Sequence, residues 1–350
     1  MLKIAFVSDV YQENELKTGG EKLNFLLIKS LFSKGYQIDL FCNKIFSNEK
    51  FYINNVYSIS DFNKLKERYD LTISEKAIVD SDITYIHGHN YLYRQRMLHN
   101  NLSLFLYKLF NKKRHLKRLN EYKKIKENIN KCKKIIISSE VLKQDMIDNY
   151  GVEPSRLYII APPIERYKKR ERIFNKVFTF GISALGFVNK GGYLTLKAIN
   201  ILRKKGYKFK VKFIYPSKNK LVDFIINLYR IKDFCEFLPV QKSMENFYYS
   251  IDCLLMPSGI ETFGMVATEA LSTGCPVITG EHCGASTIIR EGKNGFLYKG
   301  NKSVKNLTKA MEKILLLSRE NLIMMEDICK TSVNGLYLED FAKNVEKLLR

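Results

Sequence analysis

The run Pro257-Ser258-Gly259-Ile260-Glu261-Thr262-Phe263-Gly264-Met265-Val266-Ala267-Thr268-Glu269 sets two glutamates eight residues apart, on either side of the point where a loop gives way to a helix. Before it, Asp252 to Met256 reads as a buried strand. After it, Gly264 to Thr273 is helix-compatible and ends at Gly274-Cys275-Pro276, a glycine just past the last turn and a proline soon after. Val277-Ile278-Thr279 then opens another strand. Ligands of such strand–loop–helix units sit at the carboxyl ends of the strands. The first amides of a helix lack backbone partners and carry the positive end of its dipole, so Phe263, Gly264, Met265 and Val266 can offer N–H groups to phosphate or sugar oxygens. Gly264 allows a close approach to the backbone. Glu261 is placed to accept from sugar hydroxyls, and Glu269 to take the two hydroxyls of a ribose. Alone, each glutamate would pass for a helix-start charge or a solvated face.

This arrangement resembles the signature of the retaining family 4 glycosyltransferases, which have the GT-B fold. Asp252 to Ser258 is similar to that family's "A-D-x-x-x-x-P-S", and Thr273 to Ile278 to its "G-x-P-V-I". Gly284 and Glu291-Gly292-Lys293-Asn294-Gly295-Phe296-Leu297 resemble "G-G…E-…-G-x-N-G-x-L". The close match runs from about Gly181 to Tyr298, and a looser one covers the first hundred residues. The resemblance implies an α/β protein of two Rossmann-like domains facing each other across a cleft.

Patterning along the chain agrees with two α/β halves. Ile4 to Ser8 reads as a strand, followed by a loop through Thr18-Gly19-Gly20. A helix with Leu23, Leu26, Leu27 and Leu31 on one face comes next, then a strand at Ile38 to Cys42. Asp82 to His87 and Lys134 to Ser138 read as further strands. Pro162-Pro163 and the charged run Glu165 to Arg172 read as a linker. Phe178 to Ile182, a glycine-rich loop, a helix with Leu194, Ala198, Ile201 and Leu202, and a strand at Val211 to Tyr215 open the second half. The expected organisation is an acceptor domain over 1–165, a nucleotide-sugar donor domain over 166–335, and a C-terminal helix, 336–350, packing back on the first domain.

Composition narrows the class. With 350 residues and 45% apolar content there is enough to build two cores. The seven cysteines are scattered with no C-x-x-C pair, the pattern of reduced thiols, not of a disulfide framework or zinc site. The N-terminus has no long apolar run, and no stretch reaches the ~18 apolar residues that would span a bilayer. The expectation is a cytoplasmic protein. The 58 Lys+Arg against 36 Asp+Glu give a formal charge of +22, much of it in the segment 108–134, with Lys112, Lys113, Arg114, Lys117 and Arg118 at its start. Leu102, Leu104, Phe105, Leu106, Leu109 and Phe110 precede or open it. A basic stretch beside an apolar one suits the anionic inner face of the cell membrane. A solvated helix in a lysine-rich chain is the alternative, and no recognition motif points to nucleic acid.

Several residues away from the glutamates gain meaning from the resemblance. Gly19-Gly20 is similar to the family's N-terminal glycine loop, where a backbone amide meets the donor phosphate. Lys190, in Asn189-Lys190-Gly191, matches the "K-G" lysine, whose ammonium would neutralise a diphosphate leaving group. The family usually has an arginine shortly before it; this chain has Ala184-Leu185-Gly186, which leaves more of that charge to Lys190. Pro216-Ser217-Lys218 stands where many relatives have "G-x-G", which leaves the base open. His87-Gly88-His89 ends a strand and resembles an "H-x-H" of relatives. Both imidazoles would share one side if the strand stayed extended, and His89, nearer the loop, is the preferred catalytic candidate. Tyr91 and Arg94 follow, and with His87 are assigned to the acceptor side by position. Two histidines without a third ligand do not make a metal site.

The reaction implied is transfer of a hexose-type sugar from a nucleotide diphosphate, UDP foremost, with retention. Lys190, Glu261 and His89 stand in catalytic positions, with no metal and no cofactor. The acceptor implied is a glycan or lipid-linked molecule of the cell envelope. Two other classes stay open: a non-catalytic glycosyltransferase-like partner subunit, and a nucleotide-sugar epimerase of the same architecture.

Overall fold

In the computed structural model the described residues are 2–12, 19–46, 52–89, 91, 93, 110–167, 174–215, 219–241 and 243–349. The chain forms two compact units. One comprises Met1–Pro163 with Gly335–Arg350, the other Ile164–Asn334.

The first unit is built on seven parallel strands: β1 (Lys3–Gln12), β2 (Gln37–Phe46), β3 (Asn55–Tyr57), β4 (Leu71–Glu75), β5 (Ile83–Ile86), β6 (Lys134–Ile137) and β7 (Leu157–Ile159). Their order is β3-β2-β1-β4-β5-β6-β7. The direction of winding therefore reverses between β1 and β4. At such a switch point the loops leave on opposite faces and open a crevice above the carboxyl ends. Continuous apolar runs such as Ile4 to Val7 and Ile135 to Ile137 are buried, as in a sheet covered on both faces. Leu23, Leu27 and Leu31 of the helix Gly19–Ser33 pack on one face. The C-terminal helix Leu338–Leu349 adds Phe341 and Val345 to the same core. Lys34 and Glu346 pair at 3.5 Å beside it.

The second unit repeats the plan with six parallel strands: β8 (Thr179–Ser183), β9 (Lys210–Ile214), β10 (Cys235–Leu238), β11 (Cys253–Met256), β12 (Val277–Gly280) and β13 (Gly295–Tyr298). The order β10-β9-β8-β11-β12-β13 puts the reversal between β8 and β11. Asp252 staples these two strands: Oδ2 accepts from the Thr179 amide at 2.7 Å and from Asn175 Nδ2 at 3.0 Å. Asn294 does the same for the turn before β13, accepting from the Arg290 amide at 2.7 Å and donating to the Ile288 carbonyl at 3.0 Å. Two of the quoted motif positions thus hold backbone, not ligand.

Sequence and structure differ at three boundaries. The helix after the glutamate loop spans Met265–Ser272, because Gly264 adopts φ +97 and sits outside it as the N-cap. Gly19 and Gly20 form the first turn of a helix instead of a loop. β5 stops at Ile86, so His87 and His89 do not continue an extended strand. Arg94, residues 101–109 and Pro216-Ser217-Lys218 lie outside the described residues. No helix among the described residues is long and apolar enough to cross a membrane.

Candidate active site

At the switch point of the second unit, two loops are fastened together. The first, 184–191, follows β8. Its Phe187 is buried against Tyr193 and Tyr215, with ring centroids 5.0 and 4.7 Å away. Gly192 donates to the Phe187 carbonyl at 2.8 Å, and the Lys190 amide to that of Gly186 at 3.0 Å. Gly191 is left-handed at φ +77, and a Cβ there would run into the Pro257 carbonyl oxygen. Only glycine fits both conditions.

The second loop, Pro257 to Gly264, is held from both sides. Gly259 donates to the Asn189 carbonyl at 3.0 Å. On the other side Gly284 donates to the Glu261 carbonyl at 3.2 Å, Ala285 to that of Phe263 at 2.6 Å, and His282 Nε2 to that of Ser258 at 2.8 Å. Gly264 abuts Met256 and Glu261 where a side chain would collide.

This frame brings Lys190 and Glu261 together, Nζ to Oε2, at 2.5 Å. Lys190 is 37% exposed and Glu261 16%, so the ammonium keeps an open side. A small cavity beside them is lined by Ser183, Lys190, Leu255, Met256, Ser258 and Val266. It lies at the carboxyl ends of β8 and β11, and the amides of Met265 and Val266 open the helix next to it. Ser258 is buried, with no hydrogen-bond partner for its hydroxyl among the described residues.

Glu269 sits one turn deeper. It is buried, and its Oε2 accepts from Tyr248 Oη at 2.7 Å. Burial and the Glu269 charge both push the Tyr248 and Tyr167 hydroxyls well above the ordinary tyrosine range. Phe263 is likewise buried.

The switch point of the first unit carries a second polar cluster. Glu75, at the end of β4, is buried. His87 Nε2 lies 2.8 Å from its Oε1, Lys76 Nζ 2.6 Å from the same oxygen, and Ser8 Oγ 2.5 Å from Oε2. Burial works to raise this carboxyl's pKa, but the His87 and Lys76 bonds and charges outweigh it and hold it well below the usual carboxylate range. Lys76 and Ala77 are both left-handed without being glycine, at φ +52 each. The turn is fixed by Lys76 N to Tyr85 O at 2.9 Å and Ala77 N to Thr84 Oγ1 at 2.8 Å. A Cβ on Gly20 would strike the His87 ring.

His89 is placed differently from the expectation. Its side chain is 1% exposed, its Nδ1 is 2.8 Å from Asp145 Oδ2, and its ring stacks on Tyr93 at 4.2 Å. The His89 ring is thus held by Asp145 and Tyr93, whereas His87 belongs to the Glu75 cluster. Tyr91 turns to His115 of the helix Lys112–Lys131, Oη to Nδ1 at 2.8 Å. Glu75, Ser8 and Tyr248 were not read from sequence as functional. A buried carboxylate in Leu-Thr-Ile-Ser-Glu has no local signal, because apart from Lys76 its partners come from β1 and from beyond β5.

Residues 163–328 match the family described as Glycosyl transferases group 1. The chain is 26% identical over 200 residues to a D-inositol 3-phosphate glycosyltransferase of Nocardia farcinica, across 51% of this chain and 44% of that protein. It spans less than half the length of the curated relatives it matches. Among solved structures it is similar to WaaG, a glycosyltransferase involved in lipopolysaccharide biosynthesis, with a TM-score of 0.75 and 16% identity over 99% of both chains. It is also similar to Anabaena Alr3699/HepE in complex with UDP and glucose, with a TM-score of 0.75 and 12% identity over 100% of this chain and 99% of that one. The chain thus has the GT-B fold of two Rossmann-like domains, and its residues 163–328 are similar to the glycosyl transferases group 1 family.

Proposed function

We propose that the protein is a retaining glycosyltransferase that moves a hexose-type sugar from UDP to a glycan or lipid-linked acceptor of the cell envelope. The observation that carries this reading is the Lys190–Glu261 pair beside the amides of Met265 and Val266. A cation, helix amides and a carboxylate converge there, which suits a diphosphate and the hydroxyls of its sugar. The UDP and glucose of the HepE structure support this choice of donor.

In the reaction the acceptor hydroxyl attacks the anomeric carbon from the leaving group's own face. The bond from that carbon to the phosphate oxygen breaks, and both its electrons leave with the diphosphate. The hydroxyl proton passes to a phosphate oxygen as the new glycosidic bond forms. The protein orients the partners and stabilises the charge that builds on the diphosphate. Lys190 and the helix amides supply that positive charge, so no resident metal ion is needed. Glu261 and Glu269 hold sugar and ribose hydroxyls, and are not the paired carboxylates of a hydrolase. The Gly19 and Gly20 amides, at the start of a 15-residue helix, suit a phosphate oxygen.

The exposed face of the helix Lys112–Lys131 carries Lys112, Lys113, Arg114, Lys117 and Arg118, with Phe110 80% exposed just before it. This supports peripheral attachment at the cytoplasmic face of an anionic membrane.

The test is UDP release and product analysis with UDP-sugars, with and without added lipid-linked or glycan acceptors. The reading requires acceptor-dependent release of UDP and a product that keeps the anomeric configuration. A new nucleotide-sugar epimer formed without acceptor would make the protein an epimerase. Nucleotide binding without turnover of any donor would make it a non-catalytic partner subunit.

A further inference from the structure

We propose that Glu75 is a positioning residue for His87, holding the imidazole in its Nε2–H form with the Cε1–Nδ1 edge against Gly20 in the first turn of the helix Gly19–Ser33. The catalytic consequence rests on the glycosyltransferase reading; the tautomer does not.

The hydrogen bonds around Glu75 all run toward it. Asn24 Nδ2 donates to Ser8 Oγ at 3.1 Å, and Ser8 Oγ in turn lies 2.5 Å from Glu75 Oε2. The Val10 carbonyl is also within 2.8 Å of the Ser8 hydroxyl, but a carboxylate is the stronger acceptor. Lys76 Nζ donates to Oε1 from the rim, where it is 48% exposed. An oxygen that accepts from an ammonium and carries charge can only accept from His87 as well, so Nε2 must bear a proton. In the neutral ring this makes Nδ1 the acceptor nitrogen. Among the described residues, Glu75, Lys76 and Tyr85 are titratable groups set near the ring, with Ser8 and Asn24 behind the carboxylate.

A carboxylate meant only to close a core would not need this support. Two successive left-handed residues, Lys76 and Ala77, end β4 just after Glu75, and strain of this kind persists where the surroundings over-determine it. Gly20 completes the pocket by leaving room for the ring. The result is an imidazole of fixed orientation at the switch point of the first sheet, suited to position a substrate hydroxyl by hydrogen bonding.

The experiment combines selective 15N-histidine NMR with steady-state kinetics on wild type, Glu75→Gln and Glu75→Leu, with His87→Gln assigning one of the five histidines. Wild type should show His87 as the Nε2–H tautomer. Glu75→Leu, with no acceptor, should lose that preference and lower kcat by about 100-fold with donor KM nearly unchanged. Glu75→Gln keeps an acceptor oxygen and should recover about tenfold of the loss. An Nδ1–H tautomer in wild type overturns the proposal, as does equal activity of the two variants or wild-type kcat in Glu75→Leu. Should Glu75→Leu fail to fold, wild-type NMR and the kcat of Glu75→Gln decide alone: an unchanged kcat overturns it. The NMR result does not depend on sugar transfer, so the tautomer and the proposed function can fail separately.

Discussion

Lys190 and Glu261 are 71 residues apart in sequence and meet at 2.5 Å where two fastened loops cross the end of the second sheet. The ammonium that would receive a diphosphate is therefore already paired. Because Lys190 is partly exposed, the pair is screened by water and contributes little to stability, so it can be opened by a ligand.

Removing either partner should separate binding from turnover. Lys190→Ala should lower turnover by about 10²- to 10³-fold, the usual loss when one donor to a developing anion is removed. Glu261→Gln should bind free UDP more tightly, since the lysine no longer has a competing anion, yet turn over UDP-sugar more slowly. Calorimetric titration of UDP with parallel UDP-release assays checks both. Weaker UDP binding by Glu261→Gln would contradict this account.

Gly191→Ala should disturb the same site through the backbone. The left-handed φ and the Pro257 carbonyl leave no room for a methyl group. A loss of about 2 kcal/mol is expected, which lowers Tm by about 4–8 °C for a domain of this size. Turnover should fall with it. Gly186→Ala, equally left-handed but with open space around its Cβ position, should keep more stability than Gly191→Ala.

Tyr248→Phe tests how Glu269 is held. The hydroxyl donates to a buried carboxylate, and its loss should cost about 1.5–3 kcal/mol in unfolding experiments. Nucleotide affinity should drop as well, because the carboxylate loses a fixed partner. Unchanged stability and affinity would mean that this bond orients nothing.

Acid stability should depend on Glu75. Its carboxyl in the folded protein lies well below the ordinary value of 4.5. The unfolded chain thus binds the proton first as pH falls, and stability decreases from about pH 5 downward through the folded pKa. Above the ordinary value the contribution is fully present. Glu75→Gln should be less stable at neutral pH and show a shallower acid decline than wild type in urea unfolding between pH 6 and 3.

Neutralising Lys112, Lys113, Arg114, Lys117 and Arg118 together should reduce binding to anionic liposomes, by up to about 1 kcal/mol for each residue near the surface. Wild-type binding should also weaken with salt. Sedimentation with vesicles containing anionic lipid measures it, and equal binding of the two proteins would remove the membrane from the account.

The second half of the chain was the more legible in sequence. From Asp252 to Thr279 the order of strand, loop, helix and strand could be read directly, because buried runs, glycine stops and proline lie close together. Gly264 falls outside the helix through its left-handed backbone, and Thr273 and Asp252 lie one residue beyond the helix and strand read for them. Asp252 and Asn294 stood out as motif residues without showing that they hold backbone. In the first half, β4 was missed because Leu71 to Glu75 is short and polar at alternate positions. With β4 went Glu75, whose role exists only once β1, β4 and β5 lie side by side. The choice of His89 over His87 rested on distance along the chain. The pairing of His89 with Asp145, 56 positions away, cannot be seen locally either.

The most direct measurement is thermal unfolding of wild type and Lys190→Ala with UDP, GDP, ADP, CMP and their sugar conjugates. A ligand at one hundred times its dissociation constant stabilises the folded state by about 2.7 kcal/mol. The account predicts a rise in Tm with UDP and UDP-sugars in wild type that is much reduced in Lys190→Ala. An equal shift in the two proteins, or none with any nucleoside diphosphate, would contradict a donor site at Lys190 and Glu261.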